Sequence, residues 1–281
     1  MEIFKQIAPL RTFLDSLRKP DKSIGLVPTM GALHQGHISL IHTSKSQNAI
    51  TVATIYVNPT QFNNPNDLQK YPKTPEKDLE MLQKAGCDVV FSPDDQEMYE
   101  DMPRMKFDFG HLDKVMEGEF RPGHFSGVAL IVSKLFNIIQ PDRAYFGQKD
   151  WQQFAVIRQL VRELKFNFEL QSVPILRESD GLAMSSRNLR LSQAQRFNAS
   201  VFHQALTMAK NALISGAELE TVKKAVSDMV NSKPEIKLEY FELADSKNLT
   251  ILNNVDKAVL PILCIAGYAG DIRLIDNMFL D

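Results

Sequence analysis

The sequence predicts an α/β fold, a doubly wound parallel sheet followed by a second, smaller α+β domain, and three observations predict it. Apolar runs alternate with helix-period segments through the first 176 residues, a glycine-bearing turn joins the first strong run to its helix, and the pattern changes after about residue 177. Alternation of this kind puts helices on both faces of a parallel sheet and ligands at the carboxyl ends of its strands.

The first run is Ile24 to Pro28, followed by a helix near Gly36 to Gln47. Ala49 to Val57 is rich in β-branched residues and reads as the next strand. Asn58 to Thr74 is irregular and has the length of a lid or binding loop. A helix near Pro75 to Ala85 and a short strand, Asp88 to Phe91, come next. Ser126 to Ile139 is apolar on nearly every side and predicts a buried helix. Arg143 to Phe146 is a strand, and Lys149 to Lys165 is a helix with Phe154, Ile157, Val161 and Leu164 at helical spacing. Phe168 to Leu176 closes the series, giving a first domain of residues 1–176. Residues 177–281 form the small domain: a polar stretch, helices near Ser192 to Gly216 and Leu219 to Asn231, then strand-like runs at Ile236 to Ala244, Ala258 to Ala266 and Ile272 to Ile275.

Composition narrows the function classes. The chain has 281 residues, 44% of them hydrophobic, which suits a substantial buried core, and no apolar run approaches the ~20 residues that span a bilayer. A net charge of −2 argues against a broad nucleic-acid surface. Met1 opens a polar, mixed segment, so no secretory signal is expected, and two distant cysteines give no disulfide framework. A cytoplasmic protein with no membrane and no nucleic-acid partner is the expectation.

The sharpest chemical feature is Pro28 to His37, PTMGALHQGH, which reads strand, turn, helix. A helix start offers unpaired N–H groups and a positive dipole end to a phosphate, and His34 and His37 stand beside those donors. Gly31 and Gly36 have the spacing of a P-loop, but His37-Ile38 replaces its Lys-Ser/Thr pair, and GxGxxG is absent. What remains, His-x-Gly-His, is similar to the signature of the nucleotidyl-transferase superfamily. Half of a zinc site and a purely structural histidine are the alternatives; zinc wants about four ligands, and Cys87 and Cys264 are isolated.

Two further segments carry phosphate chemistry. In Phe146-Gly147-Gln148-Lys149-Asp150, Gly147 lets backbone approach a ligand, Lys149 offers charge, and Asp150 suits a ribose or simply caps the helix. Gln153 lies one turn from Lys149 and faces the same way. Met184-Ser185-Ser186-Arg187-Asn188 sits where the two domains join, and hydroxyls with an arginine suit a polyphosphate tail.

The strings VPTMGALHQGH, YVNPTQF, EGEFRPGHFSGV, YFGQKDWQQ and DGLAMSSRN occur in order, with GDIRLIDN near the carboxyl end. Together they closely resemble the pantoate–β-alanine ligase family, and the resemblance covers nearly the whole chain. It implies a Rossmann-like first domain and ATP-dependent condensation of (R)-pantoate with β-alanine to pantothenate, AMP and pyrophosphate through a pantoyl-adenylate. It implies His34 and His37 as catalytic groups, His37 as proton donor. It assigns Met30, Gly31, Ala32, Leu33, His34, Gln35, Gly36 and His37 to ATP, together with Gly147, Gln148, Lys149, Asp150, Leu176, Met184, Ser185, Ser186 and Arg187. Gln61 and Gln153 would bind pantoate, and Gln61 also β-alanine. Gln148 stands where many relatives have Glu. Pro28, Met30 and Phe146 would receive pantoate's methyl groups, Asn58 and Tyr71 border an expected gate, and Arg121 and His124 belong to a pocket rim or a capping segment. Mg2+ is expected with ATP, with no protein ligand assigned; Asp78 reads as a solvated helix residue. The family also implies a homodimer.

Rival readings are an adenylyltransferase, a reduced aminoacyl-tRNA synthetase and a nucleotide sensor without turnover. The second lacks length and basic excess; intact His34, His37, Lys149 and Arg187 speak against the third.

Overall fold

The structure is a computed structural model and describes residues 1–255 and 259–280. Strand β1 (Glu2–Phe4) and helix α1 (Ile7–Leu17) open the chain, two elements not separated out from the sequence. Then come β2 (Ile24–Thr29), α2 (Gln35–Gln47), β3 (Ile50–Ile55), α3 (Pro65–Gln69), α4 (Pro75–Lys84) and β4 (Val89–Phe91). Short helices α5 (Asp95–Met98) and α6 (Glu117–Phe120) precede α7 (His124–Ile139), β5 (Arg143–Gly147), α8 (Trp151–Glu163) and β6 (Glu169–Val173).

These six strands form one parallel sheet in the order β1-β4-β3-β2-β5-β6. The strands alternate side chains between two apolar layers. Leu26, Val52, Phe91, Ala144 and Phe146 point to the layer that holds α1, α7 and α8, while Val27, Ala53, Val90 and Tyr145 point to the layer beneath α2 and α4. Both faces are covered, so the strands are apolar throughout. From β2 the chain winds one way through β3, and β5 starts the winding the other way; a crevice opens at the carboxyl ends of β2 and β5.

The remaining elements are α9 (Gln193–Ala199), α10 (Val201–Ile214), α11 (Leu219–Asn231), β7 (Ile236–Asp245), β8 (Pro261–Ala269) and β9 (Ile272–Phe279), the strands forming an antiparallel sheet. The expected helix Ser192 to Gly216 is two, broken at Ser200; the first is capped reciprocally by Ser192 and Gln195. Ala258, expected to start a strand, lies outside the described residues; the strand that follows begins at Pro261, a strand-end position that needs no N–H. No helix among the described residues is long and apolar enough to cross a membrane.

The long Asn58 to Thr74 segment is more ordered than its sequence implied. Asn58 caps a 3-10 turn, Pro59–Gln61, and Asn64 caps α3. That first turn rests on α7 at Gly127, where an added Cβ would lie 2.2 Å from the Thr60 carbonyl oxygen. Asn58 Nδ2 donates to the Gly127 carbonyl at 3.2 Å. The contact fixes Gln61 against the helix. Gly127→Ala should therefore lower stability by about 1–3 kcal/mol through overpacking, although helix propensity alone would raise it by up to about 1 kcal/mol. Urea denaturation decides between them; an unchanged or raised midpoint would mean that the turn yields freely.

Candidate active site

The turn after β2 is set by a carboxylate. Gly31 has φ +76° and Ala32 φ +48°, and Asp78 of α4 accepts the Ala32 and Leu33 N–H groups at 2.8 Å each. Thr74 Oγ1 donates to the same side chain at 3.0 Å, leaving Asp78 1% exposed. Asp78 is thus a buried anchor, not the solvated helix residue its sequence suggested. Ala32 and Leu33 spend their N–H groups on it, and neither lines the main cavity, nor do Gly31 and Gln35. Met30, His34, Gly36 and His37 do line it.

His34 occupies the N-cap of α2, and its ring lies 4.0 Å from that of His37, centroid to centroid. His34 N–H donates to His37 Nδ1 at 3.3 Å, so the neutral His37 ring carries its hydrogen on Nε2. Burial, then Lys149, lowers His37 to about 4. Burial, then His37 and Lys149, lowers His34 to about 3, and its Nδ1 is buried without a partner. Both rings are neutral near pH 7.

Gly147, Lys149 and Asp150 reach the cavity from the end of β5. Residues 148–150 make a 3-10 turn before α8, which corrects the expected helix start at Lys149. Asp150 occupies the N-cap position but makes no capping hydrogen bond, and lies 3.8 Å from Lys149 Nζ. Gln148 is turned away: its Nε2 donates to Ser172 Oγ at 3.4 Å, its carbonyl accepts from Asn277, and it does not line the cavity. Leu176 does line it, and its carbonyl accepts from Met184 N–H. Ser185, Ser186 and Arg187 close that side, with Ser186 Oγ donating to the Ala32 carbonyl at 2.9 Å.

Gln61 and Gln153 also line the cavity. Gln61 Oε1 accepts from Asn58 Nδ2 at 3.2 Å, and its Nε2 lies 3.1 Å from Met30 Sδ. The Asn58 bond orients the amide, and with one N–H donated to Met30 Sδ a single N–H is left for a ligand. Gln152 next to Gln153 is purely structural, bonding Glu117 N–H, Leu112 O and Val115 O. Pro28, Met30 and Phe146 form an apolar floor, extended by Val128, Ile131, Val132 and Leu135 of α7, which sequence reading had left in the core.

Arg121 and His124 belong to a buried relay behind the wall. Arg273 binds Glu117 with two nitrogens at 2.7 Å, and Tyr240 adds a hydroxyl bond at 2.9 Å. Arg121 stands 3.6 Å from Glu117 and donates to His124 Nε2 at 3.1 Å; His124 Nδ1 donates to the Gln61 carbonyl at 2.8 Å. Despite burial, Glu117 is held down to about 2 by Arg273 and Arg121. His124 is lowered to about 3 by burial and then Arg121. The strings EGEFRPGH and RLID held this signal, but only the fold pairs them.

A cleft at the carboxyl edge of a doubly wound sheet, with paired neutral histidines, a lysine and a Ser-Ser-Arg loop, defines an α/β protein built around one polar small-molecule site. A pantoate-beta-alanine ligase family model matches residues 2–279, and the chain belongs to that family. It is 46% identical to the pantothenate synthetase of Bacteroides thetaiotaomicron over 278 residues, 99% of this chain and 98% of that one. With the pantothenate synthetase of Cytophaga hutchinsonii it shares 47% over 275 residues, 98% and 97% of the two chains. The crystal structure of pantothenate synthetase from Thermus thermophilus superposes with a TM-score of 0.92 at 38% identity, covering 100% and 99%. The pantoate-beta-alanine ligase of Francisella tularensis, complexed with Beta-gamma ATP and beta-alanine, gives 0.83 at 34%, covering 100% and 98%.

The relay has a consequence for acid stability. His124 stays neutral in the folded state down to about pH 3 but takes a proton near 6.5 when unfolded. Stability is therefore full above 6.5 and falls as pH drops toward 3, by about 1.4 kcal/mol per pH unit. His124→Gln should make this fall shallower between pH 6 and 5, measured by thermal or urea unfolding. An unchanged slope would show that His124 titrates alike in both states.

Proposed function

We propose that the chain condenses (R)-pantoate with β-alanine, driven by cleavage of ATP to AMP and pyrophosphate, through a pantoyl-adenylate. The observation that carries this reading is the convergence of His34, His37, Lys149, the Met184–Arg187 loop, Gln61 and Gln153 on one cavity whose lining also includes apolar Pro28, Met30 and Phe146. Membership of the pantoate-beta-alanine ligase family supports it.

In this reading a pantoate carboxylate oxygen attacks the α-phosphorus of ATP, the bond from that phosphorus to the α–β bridging oxygen breaks, and pyrophosphate leaves intact. The β-alanine nitrogen then attacks the acyl carbon, releasing AMP and a proton from the amine. Splitting one condensation into two steps lowers each barrier. Gln61 and Gln153 orient pantoate with neutral amides, which hold the carboxylate without masking its charge. The apolar floor takes the geminal methyl groups. Lys149 meets the phosphates, His34 and His37 brace the charge growing on phosphorus through neutral N–H groups, and Ser185, Ser186 and Arg187 hold the leaving pyrophosphate. Gly147 and Asp150 face the ribose. Gln61 is also proposed to meet β-alanine.

Mg2+ accompanies ATP in this proposal. The ion would supply countercharge to the phosphates. We also propose a division into units of residues 1–176 and 177–281, a homodimer, and a cytoplasmic location. Buried thiols at Cys87 and Cys264, both raised in pKa by burial, suit a reducing compartment.

The decisive experiment is isotope exchange between pyrophosphate and ATP. Exchange should require pantoate and proceed without β-alanine, with AMP as the nucleotide product. ADP and phosphate as products would sink the reading and indicate an acyl-phosphate route.

His34→Ala and His37→Ala should each slow single-turnover adenylation by about 10²–10³ while changing ATP affinity far less. Near-normal adenylation in both variants would assign the histidines to structure alone.

A further inference from the structure

Arg187, the cation of the Met184–Arg187 loop, does not stand alone in the cavity. Its Nη2 donates to Asp67 Oδ2 at 2.8 Å, and Arg190 donates to Asp67 Oδ1 at 3.1 Å. Asp67 belongs to α3, in the segment between Asn58 and Thr74, more than a hundred residues from both arginines. All three side chains are largely covered, with 23%, 17% and 26% exposure for Arg187, Arg190 and Asp67. The two arginines hold Asp67 below the usual carboxylate range. Asp271 bridges the same two segments: it lies 3.4 Å from Lys70 and 3.7 Å from Arg190.

We propose that Asp67 is a positioning residue for the adenylation step: its carboxylate clamps Arg187 and Arg190 together and delivers Arg187 to the polyphosphate. The inference rests on the functional reading above. Without Asp67, Arg187 and Arg190 would face one another as under-compensated cations, near Arg121, whose charge also opposes Arg187. Repulsion of that kind would swing Arg187 toward solvent. Asp67 takes a single terminal nitrogen of Arg187, and a guanidinium has five N–H donors in a fixed fork. The arginine is therefore held in place with donors to spare for a phosphate.

The test uses pantoate-dependent exchange of pyrophosphate into ATP by the full chain. Asp67→Asn should reduce exchange by about tenfold to a hundredfold and raise the KM for ATP, as loss of one charge-assisted bond typically does. Asp67→Glu, which keeps the charge, should retain most of the rate. In the Arg187→Ala background Asp67→Asn should cost little more, because the residue through which it acts is gone. Attack of β-alanine on pre-formed pantoyl-adenylate should proceed at nearly the wild-type rate. Losses that multiply in the double variant, or equal losses in both half-reactions, would overturn the proposal and make Asp67 a general structural residue. Exchange at the wild-type rate in Asp67→Asn would overturn it too, leaving the functional reading intact. Absence of exchange in the wild-type chain would overturn the functional reading and this inference with it.

Discussion

The grip of Asp78 on the turn after β2 is the constraint from which the rest of the site follows. Two N–H groups converge on its buried carboxylate and a hydroxyl joins them, so the chain can take a positive φ at Gly31 and again at Ala32. Only an extra stabilising bond makes the second of these tolerable for a residue with a Cβ. The direction in which α2 leaves the sheet, and hence the position of His34 and His37, depends on that turn. A carboxylate on a neighbouring helix thus aims the two imidazoles, while touching neither of them.

The electrostatics of the cleft follow from crowding cations around uncharged rings. Lys149 pushes both histidines toward their neutral forms, as burial does. A site that must receive a highly charged anion gains from this division of labour. Lys149 and Arg187 carry the positive charge, and the imidazoles serve as directional donors kept neutral near pH 7 by burial and the neighbouring lysine. Asp67 and Glu117 temper the remaining arginines, so that the cleft is cationic without being torn open by its own repulsion.

What could be read from the sequence was whatever is local. Pro28 to His37, Gly147 to Asp150 and Met184 to Arg187 announce themselves because each is a contiguous strand-end segment with turn chemistry and charge together, and all three meet at the carboxyl edge of the sheet. The strand alternation was legible for the same reason, since Leu26 with Val27 and Ala144 with Tyr145 split one after another between two apolar layers. Illegible residues were those whose role is set by a distant partner. Asp78, Asp67 and Glu117 look alike as isolated acids on short helices, yet each is packed against donors supplied from 45 or more residues away. The extra reach of the cavity along Val128, Ile131, Val132 and Leu135 was hidden too, because an apolar helix face reads the same whether it meets a strand or a substrate.

The ionic relay from Arg273 through Glu117, Arg121 and His124 to the carbonyl of Gln61 bears on modularity. Its first member belongs to the small antiparallel sheet and its last to the turn that carries Gln61. Severing the carboxyl-terminal strands would strip Glu117 of the partner that makes its charge tolerable in an apolar setting, and the imbalance would be felt two side chains later at the wall of the cleft. The two sheets are therefore not interchangeable parts: a chimaera that grafted a foreign carboxyl-terminal unit onto this nucleotide-type sheet would have to supply an arginine at the place of Arg273, or else evolve an uncharged residue in place of Glu117 at the same time.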